Sequence, residues 1–187
     1  GSIPLDIAVK AFKELSLNVK GAVSDALANP KFDLAVDLAP FSPRKLMTAM
    51  GQTFPVATSD PNALTKVGLK AKVKGDPSSV SLTDGAMDLD QSKITFSAAA
   101  KDFAKPDVTL KMSIDQIDVD RYLPPAAEKK PAGDKSAPPA PEKKKTDYGP
   151  LRKLVVDAEI RAGKVKVMGA QVQDVLMKVK GRDGVFH

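Results

Sequence analysis

The chain has 187 residues, 28% of them charged and 42% hydrophobic, with 29 Lys and Arg against 23 Asp and Glu. There is no Cys and a single His, the terminal His187. Thiolate metal sites, disulfide frameworks, Ser-His-Asp triads and HExxH zinc sites are therefore excluded. Trp is absent and only two Tyr and seven Phe occur, too few for a base-stacking platform, and the net charge of +6 is dispersed rather than gathered into one block, so no nucleic-acid partner is expected.

In chain order, the first segments to show a pattern are 3–9 and 12–20, both read as strands. Lys31-Phe32-Asp33-Leu34-Ala35-Val36-Asp37-Leu38 then alternates strictly, with Phe32, Leu34, Val36 and Leu38 on one side. A helix follows over Ser42–Gly51, with Ser42 as cap, Pro43 at the first helical position and Gly51 as the left-handed exit. Asp60-Pro61-Asn62-Ala63-Leu64 opens one or two further helical turns by the same chemistry. Leu69–Lys74 alternates again, followed by strands over 79–89 and 92–99 and by Val108–Asp115. A turn around Val119–Leu123 stops at Pro124-Pro125, and another is expected at Pro150. Beyond it come 154–161, Lys164–Val167 and Val175–Lys180. A strand buried on both faces would read as a continuous apolar run. These strands carry one apolar and one charged face, which predicts antiparallel sheet covered on one side at most. Leu64–Val73 and Leu151–Ile160 share a faint repeat, a hint of a recurring turn-and-meander unit.

The predicted fold is mainly β: a curved, one-sided antiparallel sheet, a meander that is trough-like or partly closed, with a few short helices. Residues 1–123 form its first part. Residues 124–149, rich in Pro and Lys, read as a disordered linker or insertion, and 150–187 continue the same sheet. Both ends read as cuts through a longer protein.

No chemistry-bearing constellation emerges. Asp115-Gln116-Ile117-Asp118-Val119-Asp120-Arg121 lacks the Gly and the distant Glu of a calcium loop. Its plainer reading is that Asp118 or Asp120 caps the following turn while Arg121 pairs with an acid. Asp88 and Asp90 alternate with Leu89, which places both on a wet strand face. The glycines form neither a dinucleotide fingerprint, a P-loop nor a GxSxG elbow. No enzyme, cofactor or metal is expected. No run of 18 apolar residues occurs, so no membrane-spanning helix is expected in this stretch.

The apolar stripes carry the functional question. On the residues alone two arrangements stand: a closed core made by folding the sheet on itself, or an open trough whose wall faces a ligand. In the trough, Leu69, Val73, Val108, Leu110, Met112 and Ile114 are the expected inner-wall residues, with acyl chains as their partner.

The chain also resembles the AsmA family of Gram-negative envelope proteins. The likeness rests on Phe41-Ser42-Pro43-Arg44-Lys45-Leu46-Met47, Thr58–Leu64, Leu69–Gly75, Met87-Asp88-Leu89-Asp90 and Ile117-Asp118-Val119-Asp120-Arg121-Tyr122-Leu123-Pro124. Beyond the insertion it rests on Pro150–Leu154, Gly163–Val167 and Val175–Gly181. The Asp-Val-Asp-Arg-Tyr-Leu-Pro run is its most specific part. The resemblance implies a non-enzymatic, β-rich periplasmic body anchored to the inner membrane by a helix outside this stretch. It further implies a hydrophobic groove for phospholipid transport and outer-membrane assembly, with envelope proteins as further partners. The competing expectation is a closed-core structural or protein-interaction module.

Overall fold

The computed structural model describes residues 1–125, 154–182 and 185–186. Ten strands form one open sheet whose spatial order follows the chain. They are β1 (Ser2–Ala11), β2 (Leu15–Ser24), β3 (Lys31–Phe41), β4 (Val67–Asp76), β5 (Ser79–Leu89), β6 (Ser92–Lys101), β7 (Asp107–Asp118), β8 (Val155–Val167), β9 (Ala170–Arg182) and the two-residue β10 (Val185–Phe186). One helix, α1 (Pro43–Ala49), stands between β3 and β4, and a short 3-10 turn, Val119–Arg121, follows β7. The mainly β, one-sided, curved sheet read from the alternation is thus the observed architecture.

Local chemistry sets the breaks between strands. Ser42 Oγ accepts the Lys45 N–H at 3.2 Å and Pro43 opens α1, while Gly51 leaves it with φ +71°. Phe12 and Lys13 both take positive φ, so they form the β1–β2 turn instead of starting a strand at residue 12. The β4–β5 hairpin closes on Asp76, whose carboxylate accepts the N–H groups of Ser78 and Ser79, each at 2.8 Å. Asp60 does the same for Asn62 at 2.7 Å, giving a turn and not a helix over 60–64.

The sheet departs from the expected pattern in two places. Residues 154–161 and Lys164–Val167 are one continuous strand of 13 residues, not two. That strand lies parallel to β7, with Asp107 opposite Val155 and Asp118 opposite Lys166, whereas every other pairing is antiparallel. A parallel neighbour requires the chain to travel back along the sheet, and the long stretch between Asp118 and Val155 is ample for that return. Most of the proposed linker, and the turn expected at Pro150, lie outside the described residues.

Bends are built into the strands. Gly21 has φ +154°, and a Cβ there would collide with the Asp33 carbonyl. The β5 register shifts between Leu82 and Gly85, where Asp84 takes φ +51° and a Cβ on Gly85 would sit 2.6 Å from the Phe96 carbonyl. Across β7, β8 and β9 the regular pairing is interrupted at Asp115, Gly163 and Asp174. Asp174 there has φ +53°, and a Cβ on Gly163 would lie 2.6 Å from the Asp115 carbonyl. Such bulges and close approaches are how a wide sheet acquires curvature.

Candidate functional site

Residues directly opposite one another in a ladder share a face. Following ladder partners from strand to strand gives a row Val9–Leu17–Leu38–Leu69–Met87–Ile94–Ile114–Ala162–Val175, which crosses nine strands with apolar side chains only. A second row runs Leu5–Gly21–Leu34–Val73–Leu82–Ala98–Leu110–Ala158–Val179. A third runs Ile3–Val23–Phe32–Gly75–Val80–Ala100–Val108–Val156–Gly181. Met112 belongs to a further row, between Phe96 and Ile160, that continues to Met177. All six expected wall residues therefore lie on one face, in four adjacent rows.

At ~4.8 Å between strands and ~6.6 Å between rows, that face measures roughly 38 Å by 20 Å. A patch of that size, on the order of 750 Å², exceeds what a monomer ordinarily leaves uncovered. Most of its large side chains on the interior strands are half-buried: flanking neighbours shield their sides while their tips stay accessible. Leu69, Val73, Val108, Leu110, Met112 and Ile114 all fall in this class, and no large side chain among the described residues is fully buried. The buried apolar residues are Ala63, Ala71, Ile94, Ala158 and Ala162, four small ones and a single Ile. A closed core would bury its Leu, Val and Met completely, so the described residues do not form one.

The opposite face is a lattice of exposed ion pairs between strand neighbours: Lys20–Asp6 at 3.2 Å, Lys74–Asp33 at 2.7 Å, Lys70–Asp37 at 3.0 Å and Lys178–Glu159 at 3.6 Å. Pairs this exposed each contribute ~1 kcal/mol or less; their larger effect is to keep this face wet. Shallow depressions lie here too, one of about 500 Å³ beside Thr95, Lys111, Ser113, Glu159 and Arg161. The apolar face is by contrast an open wall and not an enclosed tunnel.

One end of the sheet is bound together by a polar clasp built from the Asp118–Tyr122 run. Arg121 Nε donates to Asp60 Oδ2 at 2.6 Å, and the same guanidinium donates to Gln91 Oε1. Tyr122 Oη donates to Asp90 Oδ2 at 3.0 Å. Asp120 accepts the backbone N–H groups of Met168 and Gly169, at 2.5 and 2.9 Å, across the β8–β9 hairpin. Both hairpin residues have positive φ, the geometry of a tight two-residue turn. Asp118 pairs with Lys166 at 2.9 Å. Arg121 thus pairs with an acid as expected, whereas Asp118 and Asp120 do not cap the 3-10 turn: their side chains reach sideways to β8 and to the next hairpin.

Asp90 was expected on a wet strand face. It occupies instead the two-residue loop between β5 and β6, with φ +52°. Its carboxylate accepts the N–H groups of Leu64, Thr65 and Lys66 at 2.8, 2.9 and 3.0 Å, in addition to the Tyr122 hydroxyl. The sequence did hold a signal for this. The apolar alternation changes phase between Leu89 and Ile94, as a turn at 90–91 requires. The other clasp partners, Asp60 and Gln91, lie 61 and 30 residues from Arg121, and nothing local announces them.

The clasp sets the protonation of its own members. Burial pushes the Asp90 carboxyl up, but the three backbone N–H groups and the Tyr122 hydroxyl outweigh it and hold it below the usual carboxylate range. The Asn62 N–H and then the Arg121 guanidinium hold Asp60 down, and the Gly169 N–H does so for Asp120. Burial, aided by the hydrogen bond to the Asp90 carboxylate, pushes the Tyr122 phenol up to about 12. These acids are engaged in turns and ladders, and among the described residues no three His, Asp or Glu side chains converge on one point.

Next to the clasp lies a cavity of about 390 Å³ between Gln91, Gln116, Tyr122, Lys164, Lys166 and Gln173, with Ile117, Val165 and Val172 in its wall. The loop leading into the clasp is tied to α1. Arg44 Nε donates to the Ala63 carbonyl at 2.6 Å, its Nη2 donates to Thr58 Oγ1 at 2.5 Å, and its guanidinium stacks 4.6 Å from the centre of the Phe54 ring. No helix among the described residues is long and apolar enough to cross a membrane, which says nothing of β-barrels. No family model, curated protein or solved structure matches the chain.

Proposed function

We propose that the chain is a segment of an AsmA-like envelope protein and provides part of a hydrophobic groove for phospholipid transport and outer-membrane assembly. The reading is non-enzymatic and periplasmic, with an inner-membrane anchor elsewhere in the intact protein. The observation that carries it is the uncovered apolar face: four adjacent rows, three of them extending across nine strands, with no layer of the described residues burying them. Acyl chains lying on such a wall leave water at a gain of ~0.8 kcal/mol per methylene. Four rows cover ~20 Å along the strands, the span of an extended acyl chain. The charged opposite face stays in solvent.

The test is lipid capture. Protein purified from a Gram-negative host should release phospholipid on organic extraction and take up a fluorescent phospholipid from vesicles. A Leu110→Asp, Met112→Asp double variant with unchanged circular dichroism should lose both properties. Undiminished capture by that folded variant would show that lipid does not use this wall. A second reading, an envelope protein-interaction module, is favoured by the exposed apolar side chains of the edge strand β1, namely Ile3, Ile7 and Val9. It predicts no bound lipid.

A further inference from the structure

Beyond Ile114, Ala162 and Val175 the same three strands change character. Two residues away on each, Gln116, Lys164 and Gln173 lie opposite one another, and two further away so do Asp118, Lys166 and Gln171. Ladder partners share a face, as do residues two apart within a regular stretch of strand, so these six form one polar block of two rows. All six line the cavity of about 390 Å³ beside the clasp, a volume within the ~300–1,000 Å³ range of small-molecule sites. Ser92 lines it too. It precedes Ile94 by two residues and so stands on the face of the wall, which places the cavity at the end of the apolar rows.

The charges in the lining decide what it accepts. Arg121 is paired with Asp60 at 2.6 Å and Lys166 with Asp118 at 2.9 Å. Lys164 is the lining cation that has no ion pair among the described residues. Gln116 on β7 and Gln173 on β9 flank it, on strands ~4.8 Å to either side. Their side-chain amides make no hydrogen bond among the described residues, so their N–H groups are free to donate. One ammonium between two amides is a donor set for the oxygens of a singly charged anion. Asp118 limits that charge. Its Oδ1 is buried beside the cavity and accepts no hydrogen bond from a described residue, so a second negative charge on the ligand would be opposed.

We propose that this cavity seats a phosphodiester head group, its phosphate oxygens on Lys164 Nζ and on the side-chain amides of Gln116 and Gln173. A phosphodiester is a monoanion at neutral pH, whereas a phosphate monoester carries about 1.5 to 2 negative charges. The monoanion matches the single unpaired ammonium; the monoester leaves surplus charge facing Asp118. A phospholipid seated here has its phosphate at the end of the wall and its acyl chains along the rows that reach Ile114, Ala162 and Val175. A soluble glycerophosphodiester offers the same group without the chains. Lipid as the source of the phosphodiester rests on the groove reading above, while the phosphodiester itself rests on the cavity alone.

The experiment varies the head group and the cation separately. Fluorescent phosphatidylglycerol, phosphatidic acid and diacylglycerol are offered at equal density in the same phosphatidylcholine vesicles. Phosphatidylglycerol should be captured about three- to fivefold better than either of the others. Lys164 is exposed, so its replacement leaves packing intact. Lys164→Gln should erase the preference while leaving capture of diacylglycerol unchanged, and Lys164→Arg should retain it. In solution, glycerophosphoglycerol should shift the side-chain amide resonances of Gln116 and Gln173, and inorganic phosphate should shift them far less. Capture that ignores both the head group and Lys164→Gln would overturn the inference and leave the groove reading standing. Shifts with glycerophosphoglycerol in a chain that takes up no lipid would uphold the phosphodiester site and remove the groove. Equal shifts with inorganic phosphate would reduce the cavity to a general anion site, and no shift with no lipid capture would overturn site and groove together.

Discussion

Tyr122 and Asp90 meet across 3.0 Å, one from the turn after β7 and the other from the β5–β6 hairpin, and their contact joins the segment that ends the seventh strand to the loop that starts the fourth. Asp90 makes that junction because a single carboxylate also satisfies three consecutive backbone N–H groups at the entry to β4. Replacing it with Asn keeps the size but removes charge and one acceptor, leaving an amide facing backbone donors. Asp90→Asn should lower unfolding stability by about 1–3 kcal/mol. A urea titration reads this directly, and a midpoint equal to that of the unaltered chain would show the clasp to be dispensable.

The same contact makes a spectroscopic prediction. With its phenol pushed up to about 12, Tyr122 should ionise well above an ordinary tyrosine, whose pKa is ~10. In a Tyr148→Phe variant, where Tyr122 is the single tyrosine, ultraviolet titration of phenolate should show a late transition that Asp90→Asn shifts earlier. The sign for stability follows. A raised folded-state pKa means the contribution is intact below about pH 10 and is lost as the pH rises through 12. Ionisation at ~10 would mean that the phenol is neither buried nor hydrogen-bonded to Asp90 in solution.

Acid acts with the opposite sign. Asp60, Asp90 and Asp120 are held below the usual range, and Asp76 is drawn down to about 2 by the Ser78 hydroxyl, the Ser78 N–H and the Ser79 hydroxyl. Their contribution is present above the unfolded-chain value of ~3.9 and is lost as pH falls through the folded values. Urea midpoints should therefore hardly change from these groups above about pH 5 and should fall steadily below about pH 4. Asp76→Asn should flatten part of that acid limb.

An open wall also predicts the cost of truncation. Fully buried Leu→Ala substitutions cost ~2–5 kcal/mol, the upper range reflecting a trapped cavity. Leu110 is half-buried on an uncovered face, so its removal leaves no enclosed void. Leu110→Ala should cost only about 1 kcal/mol, near the transfer value for partial burial. A loss above ~3 kcal/mol would require a second layer over the face.

The bends are sensitive to a single methyl group. Gly163→Ala places a Cβ 2.6 Å from the Asp115 carbonyl, a backbone atom that cannot rotate away. The strand pair must open there, at an expected cost of about 1–3 kcal/mol for strain and a weakened ladder. Hydrogen exchange should show the loss concentrated where β7, β8 and β9 cross the bend. Uniform protection would place the adjustment elsewhere.

The strands, their one-sidedness and the helix between Ser42 and Gly51 were legible in the sequence because each depends on neighbours a few residues away. Alternation of Leu, Val and Met with Lys and Asp is a period-two signal, and a Ser-Pro start with a Gly exit is local capping chemistry. That local logic placed Leu69, Val73, Val108, Leu110, Met112 and Ile114 together on one face. The parallel arrangement of β7 and β8 was not legible, since it depends on how the chain returns between Asp118 and Val155 and no side-chain pattern records a direction. The clasp was not legible either: Arg121 finds Asp60, Gln91 finds Arg121 and Asp120 finds Met168 and Gly169 across dozens of residues. Hydrophobic periodicity and turn propensity follow from the order of residues along the chain. Whether a second layer covers the apolar face, and which distant acids meet which donors, depends on how strands are ordered in space, and that only the folded sheet decides.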